Sequence, residues 1–265
     1  MRHAFISAIS FVAVILSVVE CRASVITVLP GDANWSSSGN TNGGSSVIAP
    51  SALLDGNGAV QITGDRTRFN ITTGNYGTLG AVSAFSFQWA VTQQGNINSA
   101  QAPALRLFTS DATMRPLQFI WEDGEQSSPV FVNGAGSLGT AYTGDFFGLA
   151  NRVYPFTSGF GLGRGLFDSG GVLIPGTDSA QAIGSLIVSG SLGNAIVRSY
   201  GVGIGSSAGN FTGVADRVMI GNSGTSTTYD FQIASAPIPE PASMAVFGAL
   251  GLTALGYRVR RKTSA

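Results

Sequence analysis

The stretch Ser83–Val91, SAFSFQWAV, sets a bulky apolar side chain against a small or polar one at almost every step. Phe85, Phe87, Trp89 and Val91 share one parity, and Ala84, Ser86, Gln88 and Ala90 the other. A period of two is the signature of a strand, because successive side chains leave a pleated backbone on opposite faces. The pattern recurs in PLQFIWE (116–122), where Leu117, Phe119 and Trp121 alternate with Gln118, Ile120 and Glu122. It recurs again in TTYDFQIA (227–234), with Tyr229, Phe231 and Ile233 against Asp230 and Gln232. Further strand segments are SVITVL (24–29), AVQI (59–62), TRFNIT (67–72), ALRLF (104–108), PVFV (129–132), SLIVSG (185–190), AIVRSYGVGI (195–204) and DRVMIG (216–221). Turn clusters such as LDGNG (54–58), TTGNYG (72–77) and GNSGTS (221–226) separate them. No stretch of ten or more residues shows helical amphipathicity, and no repeat of fixed period points to a solenoid or propeller. The expectation is an all-β fold, an antiparallel β-sandwich of jelly-roll type.

Composition agrees. The chain has 265 residues, 37 of them glycine, and charged residues make up only 11%, against about a quarter in an average domain. Such a chain suits many short strands joined by small turns, and glycine weakens helices. Three segments are expected. Residues 1–23 read as a secretory signal peptide: Arg2, an apolar run over 4–19, and small residues Cys21 and Ala23 before a cut at Ala23/Ser24. Residues 24–236 form the sandwich. Residues 237–265 form a separate tail with a hydrophobic helix, in which sixteen apolar or small residues (242–257) precede Arg258, Arg260, Arg261 and Lys262. A basic cluster of this kind stays cytoplasmic, so the tail reads as an inner-membrane tether for an exported body.

The expected body narrows the chemistry. Cys21 and His3, the sole cysteine and histidine, both precede residue 24. Catalysis by a Ser-His-Asp or Cys-His arrangement is therefore excluded from the body, and zinc sites ordinarily draw on the same residues. Eight arginines face twelve acidic residues between 24 and 236, a net −4 with no lysine, so no basic nucleic-acid footprint exists. Glu122, Asp123 and Glu125 in WEDGEQ are the densest acids. Extended, Asp123 and Glu125 would share a face about 6.5–7 Å apart, a separation usable for glycoside hydrolysis. Gly124 signals a turn at a strand end instead. These three acids and Asp216 are also the candidate calcium ligands, since hard oxygens suit that ion. Trp35, in the loop-like DANWSSSGN, is the candidate sugar platform, because a ring face stacks on sugar C–H groups. Trp89 and Trp121 read as core.

Pro239-Glu240-Pro241, the small-residue apolar run with Gly248, Gly251 and Gly256, and the terminal basic cluster stand in order at the C-terminus. Together they resemble the PEP-CTERM sorting signal of Gram-negative bacteria. The resemblance implies recognition by an exosortase, a membrane protease-transpeptidase, and release or transfer of the body to the cell surface. The segments LLDGNGAVQITGDRTRF, GTLGAVSAFSFQWAV, APALRLF, FIWE, GNFTGVADRVMIG and TTYDF also resemble the β-sandwich bodies of exported proteins bearing that signal. Those bodies are similar to concanavalin-like or carbohydrate-binding-module folds. The resemblance implies no shared catalytic residue. Three readings follow: a non-enzymatic surface or matrix protein associated with exopolysaccharide in a biofilm, a lectin-like module with a calcium-assisted glycan site, and a glycosidase.

Overall fold

The computed structural model describes residues 22–96, 101–110, 116–126, 129, 137–148, 150–157, 163–205 and 209–234. The expected signal peptide up to residue 21, the PVFV segment beyond Pro129 and the whole 237–265 tail lie outside the described residues. The chain divides into units 1–232 and 233–265.

Among the described residues fourteen strands run in chain order: β1 (Arg22–Val28), β2 (Trp35–Thr41), β3 (Ser45–Pro50), β4 (Gly58–Gly64), β5 (Arg66–Ile71), β6 (Val82–Gln93), β7 (Ala104–Ser110), β8 (Pro116–Trp121), β9 (Tyr142–Asp145), β10 (Tyr154–Thr157), β11 (Gly163–Arg164), β12 (Ile196–Ile204), β13 (Phe211–Asn222) and β14 (Thr225–Phe231). The α-helix α1 (Ile183–Ser189) precedes β12. The strands form two seven-stranded sheets. In the first, β13 is central. Its one side pairs with β6, which carries β9; its other side pairs with β4 over Phe211–Ala215 and with β14 over Val218–Asn222. Beyond these lie β3 on β4 and β1 on β14. The second sheet runs β11-β10-β8-β7-β12-β5-β2. The β1–β14 pair is parallel.

The alternation read from the sequence becomes the core. Phe85, Phe87, Trp89 and Val91 of β6 and Leu117, Phe119 and Trp121 of β8 are all buried in one cluster shared by both sheets. The indole rings of Trp89 and Trp121 lie 6.2 Å apart across that cluster. SLIVSG departs from expectation: it lies in α1, not in a strand. Its buried residues Ile183 and Leu186 are three apart, and Val188 is 80% exposed, so the run presents one helical face.

Trp35 also departs from expectation. It opens β2, is only 6% exposed, and offers no platform to a sugar. Its ring stacks on Phe69 of β5 at 5.8 Å and meets Tyr200 of β12 edge-on at 6.3 Å. From the opposite sheet, Phe231 and Tyr229 of β14 reach it at 4.9 and 5.2 Å. Above this seam the Tyr200 hydroxyl donates to the Tyr229 hydroxyl at 2.8 Å. Trp35 therefore pins the two sheets together at the chain ends. Trp35→Ala is expected to cost about 3–5 kcal/mol, read as a lower midpoint in urea unfolding followed by far-UV circular dichroism. A loss below about 1 kcal/mol would show that the seam carries no stability.

Candidate functional site

The second sheet turns its other face away from the main core, and that face mixes arginine and amide side chains with aromatic ones, Arg106, Gln118 and Ile120 being buried on it. In β5, Thr67, Phe69 and Ile71 point inward, leaving Arg66, Arg68 and Asn70 outside. In β7, Leu105 and Leu107 enter the core, leaving Arg106 and Phe108. In β8, Gln118 and Ile120 take the outer positions, and β10 adds Tyr154 and Phe156. Between β5 and β7 lies β12, whose Tyr200, Val202 and Ile204 are core. Its outward positions are Ser199, Gly201 and Gly203, followed by Gly205 past the strand end. The register sets Gly201 beside Arg106 on one side and Asn70 on the other, with Gly203 beside Arg68. The result is a glycine-floored groove between Asn70 and the buried Arg106, which the Arg68 side chain crosses to stand over Phe108.

Side chains are excluded from that floor. A Cβ on Gly201 would meet the Phe69 carbonyl oxygen at 2.2 Å, and one on Gly203 the Thr67 carbonyl oxygen at 2.4 Å. Gly205 is less constrained: its Cβ would stand 3.7 Å from Glu122 Oε1 and 4.0 Å from Arg106 Nη2. Arg106 is 3% exposed. Its Nη1 donates to Gln118 Oε1 at 3.3 Å, and Nη2 lies 3.7 Å from Glu122 Oε1. Its Nε, the Arg68 Nε and the Asn70 Oδ1 are buried without a hydrogen-bond partner. Arg68 sits over the Phe108 ring at 5.7 Å. Burial, and then the Arg106 and Arg66 charges, bring its guanidinium down to about 10.

The WEDGEQ acids border this face. Asp123–Glu125 form a single 3-10 turn at the end of β8, as Gly124 signals, so the extended arrangement is absent. Asp123 is buried. Glu122 faces Arg106 and bonds Tyr154, whose hydroxyl is raised chiefly by burial and further by the Glu122 charge. Glu125 takes both arms of Arg164, at 2.8 and 2.9 Å. That bond raises the Arg164 guanidinium, which also lies 4.3 Å over the Tyr154 ring. Glu122 and Glu125 are thus each matched to an arginine, and among the described residues no three acidic groups converge as a metal site.

Asp216 lies elsewhere, in β13. It is fully buried. Its Oδ1 accepts the Phe231 N–H at 2.8 Å and the Arg217 N–H at 2.7 Å, while its Oδ2 has no partner. Burial outweighs these two donors and pushes its carboxyl up to about 7. The structure therefore separates Asp216 from the WEDGEQ acids and does not assemble the four into one calcium site.

The groove residues Arg68, Asn70, Arg106, Gln118 and Tyr154 were not apparent as a site from their types. Their outward parity in TRFNIT, ALRLF and PLQFIWE, with Gly201, Gly203 and Gly205 at two-residue spacing, is the signal that marks them.

Residues 237–262 match the PEP-CTERM protein-sorting motif. The match covers Pro239, Glu240, Pro241, Arg258, Arg260, Arg261 and Lys262. The chain is thus an exported protein with a C-terminal sorting signal, and the motif implies processing by an exosortase. No curated protein matches the chain.

Two outcomes follow. Glu240→Ala in the producing cell is expected to leave the tail attached, seen by immunoblot as a band heavier than the processed form. For Asp216, the native carboxyl titrates near 7 and the unfolded one near 3.8. The folded state then holds the extra proton across that window, so Asp216 makes stability fall as pH rises from about 4 to 7. Asp216→Asn keeps an acceptor for Phe231 and Arg217 and should remove that component. Thermal melts from pH 4 to 8 with an unchanged slope in the variant would exclude this titration.

Proposed function

We propose that the chain is a non-enzymatic surface protein that associates with extracellular polysaccharide through the outer face of its second sheet. The observation that supports this reading is the glycine-bearing outer face, where Arg68, Asn70 and Phe108 are partly exposed and Arg68 Nε and Asn70 Oδ1 have no hydrogen-bond partner. Buried donors and acceptors without partners are costly. A chain of sugar hydroxyls, which both donate and accept, is well suited to such a surface, and Phe108 beside Arg68 offers an apolar patch for sugar C–H groups. The two-sheet body fits the resemblance to concanavalin-like and carbohydrate-binding sandwiches of jelly-roll type. A defined groove favours a lectin-like mode over simple incorporation into a biofilm matrix.

The non-catalytic reading rests on composition and on the acids. His3 and Cys21 precede the body, and Glu122 and Glu125 are engaged by arginines. Calcium has no part in the proposed binding. In this reading the 242–257 run tethers the body to the inner membrane until exosortase acts, and the body then resides at the cell surface or is secreted.

The test is calorimetry of the full chain, in mild detergent, against extracellular polysaccharide from the producing cell. Saturable heat is expected, unchanged by EDTA. Gly205→Trp, which places a ring beside Glu122 and Arg106 without a backbone clash, should abolish it while leaving the melting curve intact. Binding that survives Gly205→Trp would remove the groove from the reading, and absence of heat would remove polysaccharide from it.

A further inference from the structure

We propose that the open edge of β1 pairs, antiparallel, with the same edge of a second copy of the chain. This contact is independent of polysaccharide binding.

An unpaired edge strand offers a row of open N–H and C=O groups to any other strand, and folds usually blunt such edges. Here the other edges are blunted. The strand β11 is two residues long, and β9 is four and ends in the charged Asp145. Strand β2 shifts register between Ser38 and Thr41, with Gly39 at a φ of 63°. Strand β3 ends in Pro50, and its Ser46 hydroxyl donates to the Arg68 carbonyl of the opposite sheet, which closes that flank. Strand β1 has none of these devices. It pairs with β14 in unbroken register over Arg22–Val28, and among the described residues nothing pairs with its other side. From Ala23 to Val28 it carries no charge and no proline. Val25 is 61% exposed and Ile26 44%.

The direction of each backbone group follows from one bond. The Val28 carbonyl accepts the Gln232 N–H on the β14 side. Successive strand residues turn their N–H and C=O to opposite sides, so Ser24, Ile26 and Val28 serve β14. Ala23, Val25 and Thr27 hold theirs out to the open side. A second copy laid antiparallel about Ile26 sets each Val25 opposite the other copy's Thr27, and each open N–H meets an open C=O. Cross-strand pairs of β-branched residues are favourable. Ile26 then faces its own symmetry mate at the close spacing of about 4.5 Å. The acidic body repels its copies in general, but no charge in this segment opposes the contact. The expected cut at Ala23/Ser24 leaves Ser24–Val28 in place. One pair of strands is a small interface, so the dimer is weak in dilute solution and favoured where many copies share one surface.

The test is analytical ultracentrifugation of the full chain in mild detergent over a concentration series. A monomer–dimer equilibrium is expected. Val25→Pro removes an outward N–H that β14 does not use, as proline on an edge can. It should keep the melting curve and raise the dimer dissociation constant about tenfold or more. Val188→Lys, 80% exposed on α1, should leave the dimer unchanged. In a Cys21→Ser background, Ile26→Cys should give a disulfide-linked dimer on mild oxidation, since the expected spacing lies within disulfide reach. Val172→Cys, equally open but off the edge, should not. If Val25→Pro fails to fold, this cross-link decides. A chain monomeric at every concentration would overturn the proposal. So would a dimer that Val25→Pro leaves intact, as one held by the apolar tail would be, or equal cross-linking through residues 26 and 172.

Discussion

One strand, β13, must serve two neighbours along the same side, and the first sheet hangs on how it does so. Phe211–Ala215 pair with β4, Val218–Asn222 pair with β14, and Asp216 and Arg217 fall between. A fork leaves backbone donors at its crotch with no strand opposite. Here the ladder would continue with Phe231 opposite Asp216, and the Asp216 carboxylate takes the Phe231 N–H in place of a carbonyl. Arg217 adopts a φ of 50°, a left-handed bend that few non-glycine residues take without a local reason. The bulge it makes also shifts the register against β6 between Asp216 and Met219. A buried acid is a costly solution, but it meets two backbone N–H groups from a single position.

From that fork the aromatic seam follows. Holding Phe231 in place sets the end of β14, and β14 delivers Tyr229 and Phe231 to Trp35. Trp35 in turn is the one buried position of β2, so the edge of the second sheet is fastened through a single indole. The outer groove depends on the same chain of contacts at one remove, since β5, which carries Arg68, pairs with β2 on one side and β12 on the other.

Much of this was legible in the sequence where packing repeats every second residue. SAFSFQWAV and PLQFIWE became strands with the expected core faces, and TRFNIT, ALRLF and the glycine-bearing AIVRSYGVGI became strands as well. WSSSGNT did not announce itself, because small polar residues carry no alternation and only Trp35 faces inward. SLIVSG is a short apolar run, and such runs are ambiguous until a neighbour decides between a period of two and one of 3.6. Asp216 is hidden for a different reason: an aspartate before an arginine looks like surface, and its burial depends on a fork formed by residues far apart in the chain. The groove was written in the parity of Arg68 and Arg106, yet no local pattern says that β12, nearly a hundred residues beyond Arg106, will bring glycines between them.

The parallel pairing of β1 with β14 joins the first described strand to the last, with Ser24 Oγ donating to the Ser226 carbonyl 202 positions along the chain. A chain delivered amino-end first, from a ribosome or through an export channel, presents β1 at the outset and its partner only at the finish. Until β14 emerges, β1 has nowhere to dock and its Val28, buried in the finished core, stays open. The sheet is in this sense a clasp: it closes only on a polypeptide that has been delivered whole, and a chain truncated before β14 is left with its first strand unmated and marked for disposal.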